Sequence, residues 1–156
     1  MKRNSFLGSE DKARNYAFLL LKFRPRSEQE LRARLKRKNF APGIIESTLR
    51  FLKEKGFVDD DAFAKTWVNS RLLENFGACR IRQELELKGV SEPVINARIK
   101  EALIQRPEEA VIRTLAKNKM KRIKEGEAQK AKRKIYAYLA RRGFASGDII
   151  DALESL

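Results

Sequence analysis

The chain has 156 residues, with 35 Lys and Arg against 21 Asp and Glu, so its formal charge at pH 7 is +14. It contains no His and one Cys, Cys79, which excludes zinc fingers, disulfide frameworks and nucleophilic centres that depend on His. We therefore expect a protein that is not an enzyme and that has neither a cofactor nor a metal ion.

The excess of positive charge favours a polyanionic partner, and nucleic acid or a protein that carries it is the first candidate. No apolar segment long enough for a signal peptide follows the basic start of the chain. The longest apolar run, Tyr16 to Leu21, is too short to span a bilayer. We expect a cytoplasmic protein without a membrane partner.

The first predicted helix runs from Ala13 to Phe23. Tyr16, Leu20 and Phe23 recur at the i, i+4 and i+7 positions of one helical face. Most of the residues between them are also apolar, including Leu19. This pattern predicts a central helix that is buried almost all round.

The second helix is predicted to start with a capping box. Ser27 is followed three residues later by Glu30, so each side chain can bond the backbone amide of the other. Leu31 and Leu35 would then form the inner face of this helix. A third helix follows Pro42 and would end at Gly56, which enters the left-handed region at little cost.

Two more helices have recognisable starts. The acidic residues 59–61 precede a helix predicted from Asp61 to Glu74, where consecutive acids favour an N-cap over a cation site. Another helix follows Pro107 and is predicted to reach about Lys117. No metal site is assigned to the acidic run.

One short pattern returns three times at intervals of about fifty residues, and it predicts a helical repeat. The pattern consists of an apolar residue, two residues of any type, a basic residue, a Gly or Asn, and a second apolar residue. The three copies are Leu35 to Phe40, Leu85 to Val90 and Leu139 to Phe144.

The spacing within each copy corresponds to a Schellman stop, in which a left-handed C′ residue is flanked by apolar residues at C3 and C″. The basic residue then lies at the C-cap, where the helix dipole favours a cation by about 0.3–1 kcal/mol. The C′ residues would be Asn39, Gly89 and Gly143, and the C-cap residues Lys38, Lys88 and Arg142.

These elements predict an all-α fold of three tandem three-helix repeats that form an elongated, curved, right-handed type of helical array. The predicted repeats are residues 1–56, 57–104 and 105–156. We expect a monomer.

At this point the sequence resembles the RecX regulatory proteins of bacteria. The most specific part is Gly56-Phe57-Val58-Asp59-Asp60-Asp61-Ala62-Phe63-Ala64, followed by Arg71, Gly77, Ile81, Glu84-Leu85 and Lys88-Gly89-Val90. The resemblance implies a cytoplasmic protein that binds the RecA recombinase filament. It also implies that the protein restrains the ATPase, recombinase and coprotease activities of RecA in DNA repair, recombination and the SOS response.

Positive charge is concentrated at two ends of the sequence. Residues 22–38 hold eight basic and two acidic residues, residues 106–142 hold thirteen and four, and residues 53–103 hold nine of each. We predict that the two basic regions bind filament carboxylates or the phosphates of single- or double-stranded DNA. The candidate residues are Arg24, Arg26, Arg34, Arg37 and Lys38 at one end, with Lys121, Arg122, Lys132, Arg133, Arg141 and Arg142 at the other.

Other readings of the sequence remain open. A charged helix face is often only solvated, and Trp67, Tyr136 and Tyr138 are more typical of a core than of base stacking. The chain could be a free-standing helical module that binds DNA or RNA without a filament partner. A helical adaptor that binds an acidic protein surface is the third alternative.

Overall fold

The structure is a computed structural model that describes residues 8–123 and 126–156. These residues form nine α-helices and no strand: α1 Ser9–Phe23, α2 Glu28–Arg37, α3 Pro42–Glu54, α4 Asp60–Leu73, α5 Ala78–Leu87, α6 Glu92–Gln105, α7 Glu108–Met120, α8 Ala128–Arg141 and α9 Ser146–Glu154. The basic start of the chain, and two residues of the second basic region, 124 and 125, lie outside the described residues.

The helices pack in threes, and each group of three has its own apolar core. Helices α1 to α3 enclose one cluster of buried residues, α4 to α6 a second and α7 to α9 a third. The prediction of an all-α chain of three tandem three-helix repeats is confirmed. The divisions after residues 56 and 104 remain our proposal for the repeat boundaries.

Helix α1 differs from its prediction. Its buried residues are Ala13, Ala17 and Leu20, whereas Leu19 is 52% and Phe23 is 77% exposed. The prediction of a helix buried almost all round was wrong, because in the described part of the chain the two other helices of the repeat cover one side of α1. The helix also begins at Ser9, before the predicted Ala13.

The predicted helix starts are confirmed where a side chain supplies the cap. Ser27 and Glu30 form the reciprocal capping box at α2, and Leu31 and Leu35 are completely buried. The Asp59 carboxylate accepts from the amides of residues 61 and 62, so the acidic run caps α4. Helix α7 begins after Pro107 but extends to Met120, three residues beyond the predicted end.

All three predicted stops have Schellman geometry. The C″ amides of Phe40, Val90 and Phe144 donate to the C3 carbonyls five residues earlier, at 3.3, 3.1 and 3.3 Å. The C′ residues have φ of 62° at Asn39, 73° at Gly89 and 92° at Gly143. Gly56 ends α3 with φ 76° as predicted, and Asn75 ends α4 with φ 61°, which the sequence pattern missed.

Among the described helices, none combines the length and the apolar character needed to cross a membrane.

Candidate functional site

The repeats are joined where one helix starts against the stop of a helix in the next repeat. At the first junction, α2 begins against the end of α5. The Ser27 hydroxyl donates to the Lys88 carbonyl oxygen at 2.6 Å, and the Lys88 ammonium lies 3.0 Å from the Glu30 carboxylate. Ser27 is completely buried. The capping box therefore also fixes the position of the second repeat.

Glu30 is the electrostatic centre of the first junction. Its carboxylate accepts from Arg24 at 2.9 Å, from the Ser27 amide at 3.0 Å and from Lys88. Burial raises the pKa of Glu30, but the hydrogen bonds from Arg24, the Ser27 amide and Lys88 outweigh burial and lower this pKa to about 2. Glu30 is consequently ionised at neutral pH.

A second contact type occurs at both junctions. The first amide of α2, at Glu28, donates to the Asp60 carboxylate at 2.9 Å, and the first amide of α5, at Ala78, donates to the Glu108 carboxylate at 2.6 Å. Asp60 and Glu108 are themselves the first residues of α4 and α7. Burial raises the pKa of both carboxyl groups, and the bonds from the amides oppose this rise.

At the second junction, α5 begins against the stop of α8. The Gly77 amide donates to the Arg142 carbonyl oxygen at 2.8 Å, and the Cys79 amide donates to the Gly143 carbonyl oxygen at 3.1 Å. A Cβ atom on Gly77 would lie 2.5 Å from the Phe144 nitrogen. Only glycine allows this approach between two backbones.

Arg142 holds the second junction from the other side. Its guanidinium donates to the carbonyl oxygen of Asn75 at 2.8 Å and to that of Glu74. It also lies 4.5 Å from the centre of the Phe76 ring, on which Arg80 packs at 4.1 Å. Arg142, which we predicted to be a binding residue, thus has partners within the chain.

Two of the other predicted residues, Arg24 and Arg26, lie in the turn between α1 and α2, and a third, Arg34, lies on α2 where its charge acts on Arg26. Arg26 is half-buried and donates to the Leu20 carbonyl oxygen at 3.4 Å. Burial lowers the pKa of Arg26, and the neighbouring charges of Arg24 and Arg34 lower it further. The three arginines form what we call the arginine cluster. Arg24 is the member that also pairs with Glu30.

Two more of the predicted residues meet between α7 and α8. Arg122 and Arg141, both exposed, line a groove of about 440 Å³ that we call the α7–α8 groove. The complete lining is Lys119, Arg122, Ile123, Lys134, Ile135, Ala137, Tyr138 and Arg141. The Lys119 ammonium lies 4.0 Å from the centre of the Tyr138 ring. The described lining holds four cations and no carboxylate, so the groove suits an anion.

The remaining predicted residues are spread over the surface. Lys132 and Arg133 line a separate groove of about 510 Å³ with Tyr136, between α8 and α9. Lys121 is exposed just after α7. Arg37 and Lys38 are exposed at the end of α2. Apart from Arg24, no predicted cation forms an ion pair with a carboxylate in the described parts of the chain.

The three aromatic residues considered for base stacking, Trp67, Tyr136 and Tyr138, are partly buried against the cores of their own repeats. Trp67 donates from its indole N–H to Glu84 at 2.9 Å, and Tyr136 donates to Ser146 at 3.0 Å. Tyr138 packs against the third core while part of it lines the α7–α8 groove. We interpret these rings as packing residues, as their helical spacing predicts.

The sequence pattern predicts the helix stops but not the helix starts that pack on them. Ser27 was recognised as a cap, and Gly77 only as part of a family motif. One feature of the sequence could have indicated these contacts: the basic residues Lys88 and Arg142 lie at the same C-cap position in successive repeats. The described residues contain no group of His, Cys, Asp and Glu side chains that could hold a metal ion.

Comparison with protein-family models identifies each repeat separately. Residues 13–52 match the first three-helix domain of RecX, residues 59–99 the second and residues 107–153 the third. The chain belongs to the RecX family. The family matches cover the buried residues of the three apolar cores except Val58, and they agree with the resemblance found in the sequence.

Related RecX proteins cover most of the chain. The regulatory protein RecX of Haemophilus influenzae (strain PittEE) is 36% identical over 140 residues, which is 89% of this chain and 91% of the relative. The regulatory protein RecX of Chlorobium phaeobacteroides (strain BS1) is 34% identical over 148 residues, which is 94% of this chain and 95% of the relative. These relatives carry the name of a regulatory protein and not of an enzyme.

The fold is that of solved RecX structures. The crystal structure of RecX from Lactobacillus salivarius matches with a TM-score of 0.81 and 20% identity over 95% of this chain and 96% of the other. A second crystal structure of regulatory protein RecX matches with a TM-score of 0.77 and 23% identity, over 95% of this chain and 72% of the other. At these identities the structural likeness establishes the fold.

Proposed function

We propose that this protein binds the filament that RecA recombinase forms on DNA, and that it inhibits ATP hydrolysis, strand exchange and coprotease activity by that filament. Membership in a family of regulatory proteins supports a regulatory role. The observation that carries the proposal is the α7–α8 groove, whose described lining brings four cations together. The protein would act in the cytoplasm, where its partner works.

The mechanism requires a preference for one filament state. A curved array of three repeats could follow the groove of a helical filament and contact neighbouring RecA protomers. Contacts that fit one relative orientation of those protomers better than another would shift the filament toward the favoured orientation. If the protein bound every filament state with equal affinity, the populations of those states would not change.

The two junctions support this mechanism because they tie the repeats together. Ser27, Glu30 and Lys88 fix the first repeat on the second, while Gly77 and Arg142 fix the second on the third. The arginine cluster of the first repeat and the α7–α8 groove of the third repeat are therefore held in one connected chain of helices. Such an arrangement can contact two protomers at a set distance. Because the first and third repeats both carry basic regions, we propose that the protein acts as a monomer.

The decisive experiment measures ATP hydrolysis by the cognate RecA on single-stranded DNA, titrated with this protein. We expect inhibition by the unaltered chain. The double variant Arg122→Glu and Arg141→Glu should need at least about tenfold more protein for half-inhibition, because charge-assisted bonds are worth roughly 1.5–3 kcal/mol. Lys100→Glu, an exposed charge reversal on α6, is the matched control and should change this concentration by less than about twofold.

Unchanged inhibition by the double variant would contradict the role of the groove. Absence of inhibition by the unaltered chain would contradict the proposed function itself. Binding to naked DNA separates the alternatives, since phosphate contacts give a log-log salt slope of about −0.9 per phosphate on duplex DNA. A steep slope without any effect on ATP hydrolysis would favour the free-standing nucleic-acid module.

A further inference from the structure

Of the three Schellman stops that end α2, α5 and α8, two are covered by the preceding repeat. The stop at Lys88 receives the start of α2, and the stop at Arg142 receives the start of α5. The stop of α2 belongs to the first repeat, and its residues Lys38 and Asn39 are exposed. Among the described residues, Lys38 forms no ion pair with a carboxylate.

The exposed stop has the same construction as the covered stop of α5. At the covered stop, the Lys88 ammonium lies 4.4 Å from the centre of the Trp67 ring. At the exposed stop, the Lys38 ammonium lies 5.3 Å from the centre of the Tyr16 ring. Each ring belongs to the first helix of its repeat. We call Tyr16, Lys38 and Asn39 the open stop.

The first junction shows what chemistry fits such a surface. A helix begins there with a Ser cap that donates to the C-cap carbonyl oxygen at 2.6 Å, and its third residue is Glu30, 3.0 Å from the ammonium of Lys88. Its second residue, Gln29, packs closely on Gly89, since a Cβ added there would lie 2.5 Å from the Gln29 Cβ. The fitting ligand is therefore a helix that starts with a hydroxyl cap and an acid at its third position.

Among the described residues, no helix that starts outside the two junctions offers that ligand in a second copy of this chain, because none has both a hydroxyl cap and an acid at its third position. The starts of α2 and α5 are already used in the two junctions. The start of α8 has Glu127 at the cap position and Lys130 at its third position, so it would bring an ammonium toward Lys38. The surrounding region, residues 22–38, holds eight basic residues against two acidic ones. Like charge disfavours such a pairing, and an acidic partner is favoured.

We propose that the open stop is a docking site for a helix of a different protein that starts with a hydroxyl cap and has an acid at its third position, and that this helix binds as α2 binds the stop of α5. In this arrangement Lys38 pairs with a carboxylate of a protein and not with a DNA phosphate. The proposal rests on the proposed function only in giving the chain a protein partner, and the test below uses neither RecA nor DNA.

The experiment titrates the full chain with a synthetic helical peptide and follows the backbone amides by NMR. The peptide has about 16 residues, enough for an alanine-rich helix to form in part, and begins with Ser-Glu-Gln-Glu, the sequence of residues 27–30. We expect weak binding, with shifts concentrated at Tyr16 and residues 38–40. Lys38→Glu should weaken this binding at least about tenfold, since it turns attraction into repulsion.

Two controls complete the design. Lys55→Glu reverses an exposed charge at the end of α3 and should leave binding within about twofold, because a distant exposed charge has little effect. A peptide with Lys in place of its second Glu should fail to bind the unaltered chain but should bind Lys38→Glu. Shifts outside the open stop, equal effects of the two protein variants or absence of the charge-reversal rescue would each overturn the proposal.

Discussion

Both junctions pack the start of one helix against the stop of a helix in the next repeat, but they use different contacts. At the first, a side chain cap and an ion pair carry the contact, through Ser27, Glu30 and Lys88. At the second, two backbones meet directly at Gly77, and Arg142 reaches carbonyl oxygens instead of a carboxylate. The two junctions thus lie at equivalent positions in successive repeats, although different types of residue form them. The first junction should tolerate substitution and respond to pH, whereas the second should depend on shape.

The largest expected effect is at the second junction, with Gly77→Ala. The added methyl group would lie 2.5 Å from the Phe144 nitrogen, and neither backbone can retreat without moving a helix end. We expect the free energy of unfolding to fall by about 2–3 kcal/mol, measured by urea denaturation. Gly43→Ala is the matched control, because its methyl group would meet nothing within 4 Å and should change stability by less than about 1 kcal/mol. Similar losses in both variants would contradict the close approach.

The next effect compares the two basic C-cap residues. Arg142→Met removes donors from the carbonyl oxygens of Glu74 and Asn75, so we expect a loss of about 2 kcal/mol in the free energy of unfolding. Lys88→Met leaves Glu30 paired with Arg24, and a loss of about 1 kcal/mol is expected. Both are read from urea denaturation at pH 7. A larger loss for Lys88→Met would reverse our ranking of the junctions.

The smallest effect concerns pH at the first junction. The pKa of Glu30 is lowered to about 2 in the folded protein, below its value near 4.3 in the unfolded chain, so the unfolded state binds the proton more readily. Its contribution is therefore present above about pH 5 and is lost as the pH falls toward 2. After allowance for solvent screening we expect about 1 kcal/mol.

Urea denaturation between pH 2 and 6 measures this contribution. Glu30→Gln should be less stable than the unaltered chain at pH 6, and the difference should shrink as the pH falls. Glu46→Gln is a useful control, because Glu46 also pairs with an arginine, Arg32, but lies on an exposed surface. A pH-independent difference for Glu30→Gln would show that packing and not charge determines its role.

The sequence by itself determined the repeat and its internal geometry. Asn39, Gly89 and Gly143 each follow a basic residue, and local backbone sterics are enough to turn a helix there whatever surrounds it. The capping box at Ser27 and the acidic cap at Asp59 are likewise local, because donor and acceptor lie within three residues of each other. The basic character of the two end repeats also followed from counting residues.

Only the tertiary structure decided which side chains of these helices are exposed and which contact another repeat. Periodicity could not say that Phe23 is exposed, since an apolar residue is buried only if another helix covers its side. Nor could it separate Arg142, which binds the preceding repeat, from Arg141 beside it, which faces the α7–α8 groove. The role of Arg142 depends on contacts between residues more than sixty positions apart, and so does the contact of Ser27 with Lys88. Packing of whole repeats, and not local preference, brings such residues together.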